Sequence, residues 1–452
     1  MSAGRRGAVA TDTATGAVQV LDGWRTQGIR FVRFELPDMH GTSRSKLVPI
    51  ERAYGYAETG LNMYGGVAVL DSRSDVVGGT LYNEEVAYGD QLLRPDPGTA
   101  AIVPWEEATA RWICDSTWAD GTPLDALPRL VYRRQLERAR ALGYEPLIGY
   151  EPEFYVLDEE HRQLFGGYHI FNVTRNAYVP FIQDLVEQLN AYGLEVITAN
   201  CEYAGSQWEM PFMPGKGMGG PDRCFSFKNA AKELAHRNGY TATFMSKPFA
   251  DSAGSGLHTH ISLLNVSDGA NAFGDDDGTH GLTPAARSFI AGNLKHATAI
   301  YGLLAPTVNC LKRRRPHTFS PSNISWGLED RSALIRIKGA SVESRHVEHR
   351  APTGLANPYL VAAGILAAGL AGIEDGLELE APASPPAEED GSKTPLPTTV
   401  RESLDALEAD DRIASALGAD FVKAYGTMRR HELQRFDDHV TDWERTEYLE
   451  IY

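Results

Sequence analysis

The sequence predicts an α+β protein of two or three domains, and three features of the chain support that expectation. The chain has 452 residues, and a globular domain averages about 150 residues. The first hundred residues contain mainly strand-like segments, whereas helical and strand-like segments alternate in the rest of the chain. A cluster of glycine, proline and aspartate at residues 120–125 separates the two parts. We therefore expect a disordered arm over residues 1–16, a smaller domain over 17–118 and a larger one over 119–452.

The individual elements follow from the spacing of apolar residues and from turn and cap signals. In the smaller domain the predicted strands cover residues 29–36, 46–50, 100–103 and 112–114. Pro128 opens a helix at the position where proline is tolerated. Further helices are predicted at residues 178–192, 222–238, 284–304 and 358–373, the last with Asn357 as N-cap. Residues 376–396 are typical of a solvated loop, and the last fifty residues are typical of charged helices.

The composition of the chain argues against two classes of partner. The sequence carries 43 Lys and Arg against 60 Asp and Glu, a net charge of −17, which repels phosphate backbones and anionic lipids. The longest apolar run, residues 360–373, is shorter than the about 20 residues that a membrane-spanning helix needs, so we expect a buried helix there. The four cysteines form no C-x-x-C pair, which favours reduced thiols and a cytoplasmic location. We expect no nucleic-acid partner and no membrane partner.

Acidic residues and histidines recur two residues apart in strand-like segments, and side chains at that spacing point to the same face of a strand. The pairs are Glu151 and Glu153, His258 and His260, and Glu348 and Arg350, while Glu202 and Glu209 flank a further segment. Each pair alone is also typical of a solvated strand face. Together, five carboxylates and a histidine form a donor set that suits two hard divalent cations, magnesium or manganese. These acids either diverge into solvent or share metal ions, because clustered carboxylates without a cation repel one another.

Basic residues are concentrated between positions 312 and 350. They are Lys312, Arg313, Arg314, Arg315, Arg331, Arg336, Arg345 and Arg350. A basic surface patch is the simpler interpretation. However, Arg336 lies within the apolar segment 332–337, and a buried arginine needs an anionic partner such as a phosphate or a carboxylate. Residues 215–220 also match G-x-G-x-x-G, but no parallel strand precedes them, so we do not expect a dinucleotide site there.

Taken jointly and in order, these segments resemble the motifs of the glutamine synthetase family. Residues 151–154 are similar to its E-P-E-F strand, residues 202–209 to E-x-x-x-G-Q-x-E, and residues 247–260 to K-P…G-S-G-M-H-x-H. Residues 323–336 are similar to its arginine segment, and residues 348–360 to E-x-R-x-P…A-N-P-Y-L. The resemblance covers most of the chain, so the motifs are specific when taken together.

The resemblance implies a fold, an assembly and a reaction. The fold would be a small N-terminal β-grasp domain followed by a glutamine synthetase-type catalytic domain with a curved antiparallel sheet flanked by helices. The assembly would be a homo-oligomer, a double-ring dodecamer whose active sites lie between neighbouring subunits. In the reaction, ATP phosphorylates the γ-carboxylate of L-glutamate, and an amine then displaces phosphate to leave an amide.

The resemblance also implies roles for individual residues. One metal ion, Mg²⁺ or Mn²⁺, would be held by Glu153, Glu202 and Glu209, and a second by Glu151, His258 and Glu348, with two or three ions in each active site. The nucleotide would contact His260, Ser262, Arg331 and Arg336. Glutamate and the transferring phosphoryl group would be bound by Arg313 and Arg350, with Arg331 also catalytic and Gly254 offering its backbone to the substrate.

Three departures from the family pattern concern the amine acceptor. Glutamine synthetases proper carry a glutamate that helps to hold ammonium where this chain has Phe319. Their F-D-G-S-S motif, whose aspartate also contributes, is replaced by the stretch 67–74, and the asparagine before the G-S-G segment is Ala253. Ammonium is held best by carboxylates, whereas an alkyl or aryl group requires an apolar wall. The resemblance is therefore strongest to the branch that makes γ-glutamylamines from glutamate and a primary amine.

Two other functions remain compatible with the same residues. One is ordinary glutamine synthesis from ammonia with a divergent acceptor pocket. The other is a catalytically inactive structural relative, although retention of all six metal-ligand positions argues against it, since a scaffold gains nothing from clustered carboxylates. The sequence leaves the acceptor open among methylamine, ethanolamine, isopropylamine, anilines and polyamines.

Overall fold

The computed structural model describes residues 3–167, 170–315 and 317–452, with residues 3–14 described by their backbone alone. The first part of the chain contains two helices and six strands. The helices are α1 (Ala3–Thr26) and α2 (Ile50–Thr59). The strands are β1 (Phe31–Pro37), β2 (Ser43–Pro49), β3 (Leu61–Tyr64), β4 (Asp90–Pro95), β5 (Ala101–Ile102) and β6 (Thr109–Thr117).

The rest of the chain alternates helices with strands of a second sheet. Its strands are β7 (Tyr144–Leu157), β8 (Asn200–Cys201), β9 (Gln207–Glu209), β10 (Gly215–Lys216), β11 (Thr241–Thr243), β12 (Leu257–Asn265), β13 (Trp326–Leu328), β14 (Ile335–Lys338) and β15 (His346–His349). Its first helices are α3 (Pro128–Ala141), α4 (Val173–Asn176), α5 (Phe181–Ala191), α6 (Gly219–Arg237), α7 (Pro284–Lys295), α8 (Ala297–Leu304) and α9 (Val308–Leu311). The last five are α10 (Pro358–Glu374), α11 (Val400–Ala409), α12 (Asp411–Leu417), α13 (Ala419–Asp437) and α14 (Asp442–Tyr448).

The N-terminal sheet has the mixed arrangement of a β-grasp domain. Its strand order is β2-β1-β6-β4-β3, with β5 paired to β6, and β1 runs parallel to β6. Helix α2 packs on this sheet, and the rings of Trp24 and Phe34 lie 5.1 and 5.3 Å from that of Trp112 in its core. Helix α2 was not predicted from the sequence, because its buried residues Ile50, Ala53 and Ala57 are few and mostly small. The α+β class predicted from the sequence is confirmed.

The first helix differs from the disordered arm expected over residues 1–16. Residues 3–16 belong to α1, while Met1 and Ser2 lie outside the described residues. Ala17, Leu21 and Trp24 are buried, and their spacing of four and three places them on one stripe of the helix. This apolar stripe begins after residue 16, so the segment before it has no hydrophobic signal of its own.

The second sheet has nine strands and is antiparallel apart from the β13–β14 pair, which is parallel. Helix α10 packs against α3, α7 and α8, and its residues 358–372 are all buried, as expected for residues 360–373. The predicted helix 284–304 is divided at His296, whose Nδ1 lies 2.6 Å from the Asp410 carboxylate. Within the described residues, the helices all lack the combination of length and hydrophobicity needed to cross a bilayer.

A buried arginine on α3 connects the first sheet to helices of the second part of the chain. The Arg129 guanidinium lies 2.7 Å from Asp96, 2.8 Å from Asp115 on β6 and 2.9 Å from Asp222 on α6. Tyr359, at the start of α10, donates a further hydrogen bond to Asp222. One continuous hydrophobic core also spans both parts of the chain, so the boundary between residues 118 and 119 stays a prediction.

Candidate active site

Five of the six predicted metal ligands lie on one face of the second sheet because of its strand register. In the β12–β15 and β14–β15 pairs, His260 and Arg336 both lie opposite Glu348. In the β7–β12 pair His258 lies opposite Glu151, and β9 places Glu209 opposite Glu153. Residues directly opposite each other share a face, as do residues two apart on one strand. Four strands therefore bring the acids and histidines together, and a fifth, β14, adds Arg336.

The distances between these side chains are short. His258 Nδ1 lies 3.6 Å from Glu151 Oε2 and 3.8 Å from Glu348 Oε1, and its Nε2 lies 3.8 Å from Glu153 Oε1. His260 Nε2 lies 3.0 Å from Glu151 Oε1. Three carboxylates and two imidazoles thus surround one small volume, so the alternative of acids diverging into solvent does not describe these strands.

Glycine and glutamine shape the floor of the site. The Gly256 backbone N–H donates to Glu153 Oε2 at 2.8 Å, and Gln207 Nε2 donates to the Gly254 carbonyl at 3.1 Å. A Cβ at Gly256 would lie 2.7 Å from Arg313 Nη2 and 3.0 Å from His258 Nε2, so the Arg313 guanidinium would have to move. Glycine at this position lets the arginine, the histidine and the carboxylate approach one another.

Two of the predicted metal ligands are held in a strongly anionic environment. Burial and the neighbouring Glu153 raise the pKa of Glu202 to about 8. Burial, together with Glu151 and Glu153, raises the pKa of Glu209 to about 9. Carboxylates behave in this way when they are packed against one another with no compensating cation.

His258 is poised to act as a neutral ligand. Burial and the charge of Arg350 lower its pKa. Its Nε2 lies 3.3 Å from Arg313 Nη2, and since arginine can only donate, that nitrogen accepts a hydrogen bond and carries no proton. A neutral imidazole can ligate a metal ion.

The donor set fits divalent cations, although its grouping differs in part from that implied by the resemblance. Donor atoms of Glu151, Glu209 and His258 lie within 4.8 Å of one another, as do those of Glu151, His260 and Glu348. Glu151 belongs to both groups, and His260, expected at the nucleotide, joins one of them. Oxygen-rich sites with an imidazole suit magnesium and manganese, and a cation would relieve the repulsion that raises the pKa values of Glu202 and Glu209.

Cation binding should therefore release protons. With pKa values of about 8 and 9, Glu202 and Glu209 are largely protonated at pH 7.5 in the cation-free protein, and a metal ion must displace those protons. We expect magnesium or manganese to bind more tightly as pH rises towards 9, with about one proton or more released per site at pH 7.5. Calorimetry at pH 7.5 in two buffers of different ionisation enthalpy measures that number directly.

The same pKa shifts predict the pH dependence of stability without cations. Both folded-state pKa values lie above the ordinary glutamate value of 4.5, so the folded state binds these protons more tightly than the unfolded state. The free energy of unfolding should then fall between about pH 4.5 and pH 9, and added cation should restore it. Metal binding without proton release at pH 7.5 would contradict the prediction that Glu202 and Glu209 are protonated in the cation-free protein.

Three of the four predicted site arginines contact this cluster. Arg336 lies 3.1 Å from Glu348 and 2.5 Å from Glu329. Arg350 contacts Glu348 and donates to the Phe319 carbonyl at 3.2 Å, and Arg313 reaches His258 as described above. The fourth, Arg331, is exposed, and its charge partly offsets the raised pKa of Glu202. This arrangement can neutralise phosphoryl oxygens placed over the acids.

A cavity of about 320 Å³ opens beside the cluster and is a candidate nucleotide pocket. Ser262 and His260, both expected at the nucleotide, line it. Lys338 and His346 also line it, and they were not predicted. The Lys338 ammonium lies 3.9 Å from Glu151, and the His346 ring lies 3.0 Å from His260 Nδ1. Both could have been found from the two-residue rule, because they lie two positions from Arg336 and Glu348.

The mouth of the site has an aromatic wall. The rings of Tyr203 and Phe319 stack at 6.1 Å with an angle of 30°, and both side chains remain about two-fifths exposed, at 40% and 44%. Phe319 has a positive φ of 55°, and the hydrogen bond from Arg350 to its carbonyl holds that conformation. Gly254, expected at the substrate, lies so close to Arg313 that a Cβ would be 2.5 Å from Arg313 Cγ.

The stretch that replaces F-D-G-S-S does contain an acid, but that acid points elsewhere. Asp71 is fully buried and contacts Arg435 on α13. It also accepts hydrogen bonds from the backbone N–H groups of Arg73 and Asp75, each at 2.8 Å. These contacts occupy both oxygens of the carboxylate, so Asp71 orders its own loop.

Comparison with known proteins matches this chain to one family. The model of the glutamine synthetase catalytic domain matches residues 125–448. The glutamine synthetase of Halobacterium salinarum is 33% identical over 459 residues, with 96% of each chain covered. The gamma-glutamylethanolamide synthetase GlnA4 of Streptomyces coelicolor is 33% identical over 424 residues, with 90% of each chain covered. A solved GmaS/ADP complex has a TM-score of 0.84 and 29% identity, covering 95% of this chain and 99% of that one.

Proposed function

This chain belongs to the glutamine synthetase family of carboxylate–amine ligases, and we propose that it joins the γ-carboxylate of L-glutamate to a primary amine at the expense of ATP. The γ-phosphoryl group of ATP passes to the carboxylate, which leaves ADP and an acyl phosphate. The amine nitrogen then attacks the acyl carbon, phosphate departs, and the nitrogen loses a proton. The observation that favours a substituted amine over ammonia is the stacking of the Tyr203 and Phe319 rings.

The side chains of the site support the phosphoryl step. When bound to the acidic cluster, Mg²⁺ or Mn²⁺ would neutralise charge on the phosphates. Arg336 and Arg350, anchored through Glu348, present guanidinium groups to the same region and can stabilise the transferring phosphoryl group. Arg313, held over Gly254 and Gly256, is placed to bind the glutamate. His260 and Ser262 line the cavity in which we place ATP.

The aromatic wall distinguishes a substituted amine from ammonia. An ammonium ion is best held by carboxylates, yet the position expected to carry one is Phe319, and Asp71 is engaged with Arg435. The half-exposed faces of Tyr203 and Phe319 can instead pack against carbon atoms of an acceptor. The family likeness does not decide between the acceptors, because GlnA4 and the Halobacterium glutamine synthetase are equally similar to this chain.

Ordinary glutamine synthesis is the second candidate. It is favoured by the 33% identity to the glutamine synthetase of Halobacterium salinarum over nearly the whole chain. In that case Tyr203 and Phe319 would merely close the site against water, and ammonia would be the best acceptor.

Acceptor preference should separate these two functions. Burying two or three methylene groups against Phe319 is worth about 2 kcal/mol, or about thirtyfold in kcat/KM. We therefore expect ethylamine, isopropylamine or ethanolamine to exceed ammonia by about that factor, with rates that rise towards the pKa of the amine because the free base is the nucleophile. The measurement is ADP release with glutamate, cation and each amine in turn.

Variants of the wall sharpen the test. Phe319→Glu should reduce the ratio of kcat/KM for the alkylamine to kcat/KM for ammonia. Tyr203→Ala should raise KM for the alkylamine while leaving KM for ATP unchanged. Tyr448→Ala, an exposed tyrosine on α14, is the matched control. If ammonia proves the best acceptor of the wild-type enzyme across the panel, the protein is a glutamine synthetase and the amine assignment is wrong.

We extend the proposal to the assembly and location implied by the family resemblance. The enzyme would be a cytoplasmic double-ring dodecamer with active sites between subunits. In such a ring the loop 71–75, tied to α13 through Asp71 and Arg435, would present its outer side to a neighbouring subunit. Particle mass in solution and electron microscopy would test the ring.

A further inference from the structure

A second cavity lies outside the active site, between the N-terminal sheet and the catalytic part of the chain. Its volume is about 440 Å³, a size typical of small-molecule sites. It is enclosed by the turn after β1, by α6, by the end of β11, by the start of α9 and by α13. None of the metal-ligand candidates lines it.

The cavity lining carries positive charge, although the protein as a whole is negatively charged. The protein has a net charge of −17, yet Lys228 and Lys232, one helical turn apart on α6, both face this cavity. The acid in the lining, Glu432, is already engaged by His40 and Arg429, each at 2.7 Å. Neither lysine has an ion pair with a carboxylate among the residues that the structure describes. Two cationic groups therefore remain available for an anionic ligand.

Lys228 has unused hydrogen-bonding capacity in a buried position. Its Nζ donates to the Ala356 carbonyl at 2.9 Å and lies 5.3 Å from the centre of the Phe244 ring. The residue is 8% exposed, and an ammonium group has three donors, so two N–H groups have no acceptor among the residues that the structure describes. Burial, together with the nearby Lys232, lowers the pKa of Lys228 to about 8. A bound anion would stabilise the charged ammonium group and raise the pKa of Lys228 again.

The remaining walls are mainly apolar. They are formed in part by Phe244, Met245, Val308, Leu355 and Leu433. A multiply charged phosphate would be poorly accommodated there, because two lysines offer limited neutralisation and carbon lines the rest. A carboxylate with a short hydrocarbon body matches both the cations and the apolar wall.

The cavity walls are also continuous with the substrate segment. Met245 precedes Ser246, whose carbonyl accepts from the Ser255 N–H at 2.8 Å. Leu355 follows Gly354, whose N–H donates to the Ser255 carbonyl at 2.9 Å. The two residues that hydrogen-bond to Ser255 are thus each adjacent in sequence to a residue of the cavity wall.

Helix α9 provides a second connection. Val308 lines the cavity, and the Cys310 carbonyl of the same helix accepts from the Arg313 N–H at 3.2 Å. A ligand that fits the cavity in this conformation stabilises the conformation in which Arg313 and Gly254 already lie together, so the coupling between the two sites should be favourable.

We propose that this cavity is a binding site for a small carboxylate with an apolar body, and that its occupancy strengthens the binding of glutamate. The probe is isovalerate, a short branched carboxylate, measured by calorimetry and by Tm on the full-length enzyme with glutamate at saturation. Its neutral analogue isovaleramide should not bind. Isovalerate should lower KM for glutamate by about fivefold, and glutamate should tighten isovalerate binding by the same factor.

Lysine variants locate the site. Lys232→Gln and Lys228→Met should each weaken isovalerate binding by about tenfold, while Lys295→Gln on the exposed face of α7 should not change it. If Lys228→Met fails to fold, Lys232→Gln alone is used to test the site. Absence of binding, binding of the amide equal to that of the acid, affinity retained in the lysine variants, or displacement by glutamate would each overturn the site. An unchanged KM for glutamate would overturn the coupling. The binding measurements need no turnover, so they fail independently of the amine assignment.

Discussion

Glu209→Gln is expected to abolish turnover while leaving the cation-free protein at least as stable as the wild type. Burial and the repulsion of Glu151 and Glu153 raise the pKa of Glu209 to about 9. Glu209 is therefore largely protonated near pH 7.5 without metal, so a neutral glutamine adds no repulsion there, and above pH 9 it removes one. The same change takes one carboxylate from the cation that clamps the phosphates. A loss of about 4 kcal/mol of transition-state stabilisation corresponds to a fall in kcat of about a thousandfold.

Two measurements are needed to read this variant. Tm without cation should be unchanged or higher, and the rise in Tm on adding manganese should largely disappear. Glu187→Gln, an exposed carboxylate on α5, is the matched control and should retain both activity and the metal-dependent rise. Near-normal turnover of Glu209→Gln at saturating manganese would show that Glu209 is not a metal ligand.

Arg350→Lys is the second variant with a large expected effect. The Arg350 guanidinium contacts Glu348 with one arm and donates to the Phe319 carbonyl at 3.2 Å with the other. A lysine keeps the charge but cannot make both contacts in one plane. Loss of one charged hydrogen bond to a transition state costs about 10²–10³ in kcat. We expect a decrease of that order, with KM for ATP changed much less.

The acceptor side of the site should respond to the same variant. Without its donor, the Phe319 carbonyl loses the contact that holds its positive φ of 55°, so KM for the amine should also rise. Arg345→Lys, five positions earlier, is the matched control, because Arg345 has no contact with the metal-ligand candidates among the described residues. Full activity of Arg350→Lys would show that the guanidinium group of Arg350 makes no essential contact.

The strand-face rule explains why so much of the candidate site was accessible from the sequence. Side chains two apart on a strand share a face whatever the surrounding fold, so Glu151 with Glu153 and His258 with His260 were recognisable as local pairs. Lys338 and His346 obey the same rule and line the candidate nucleotide cavity. They were overlooked because a lysine and a histidine beside strand ends are ordinary surface residues in most proteins.

Long-range contacts were not accessible in this way. Tyr203 and Phe319 stack although 116 positions separate them and neither lies in a helix or strand. Helix α1 extends through the residues expected to form an arm, since its stability comes from the packing of Ala17, Leu21 and Trp24 on the first sheet. The aromatic stack leaves no periodic signal, and the apolar stripe of α1 begins only at Ala17.

The sequence by itself determined the α+β class and the identity of the acids and histidines that share strand faces. Those properties are local, because alternation along a strand depends on backbone geometry alone. The tertiary structure decided which faces meet, through the register that sets Glu348 opposite both His260 and Arg336. It also decided the aromatic wall and the lysine-lined cavity, which join segments far apart in the chain. Such pairings depend on how buried surfaces fit together, and that fit is a property of the whole core rather than of any short segment.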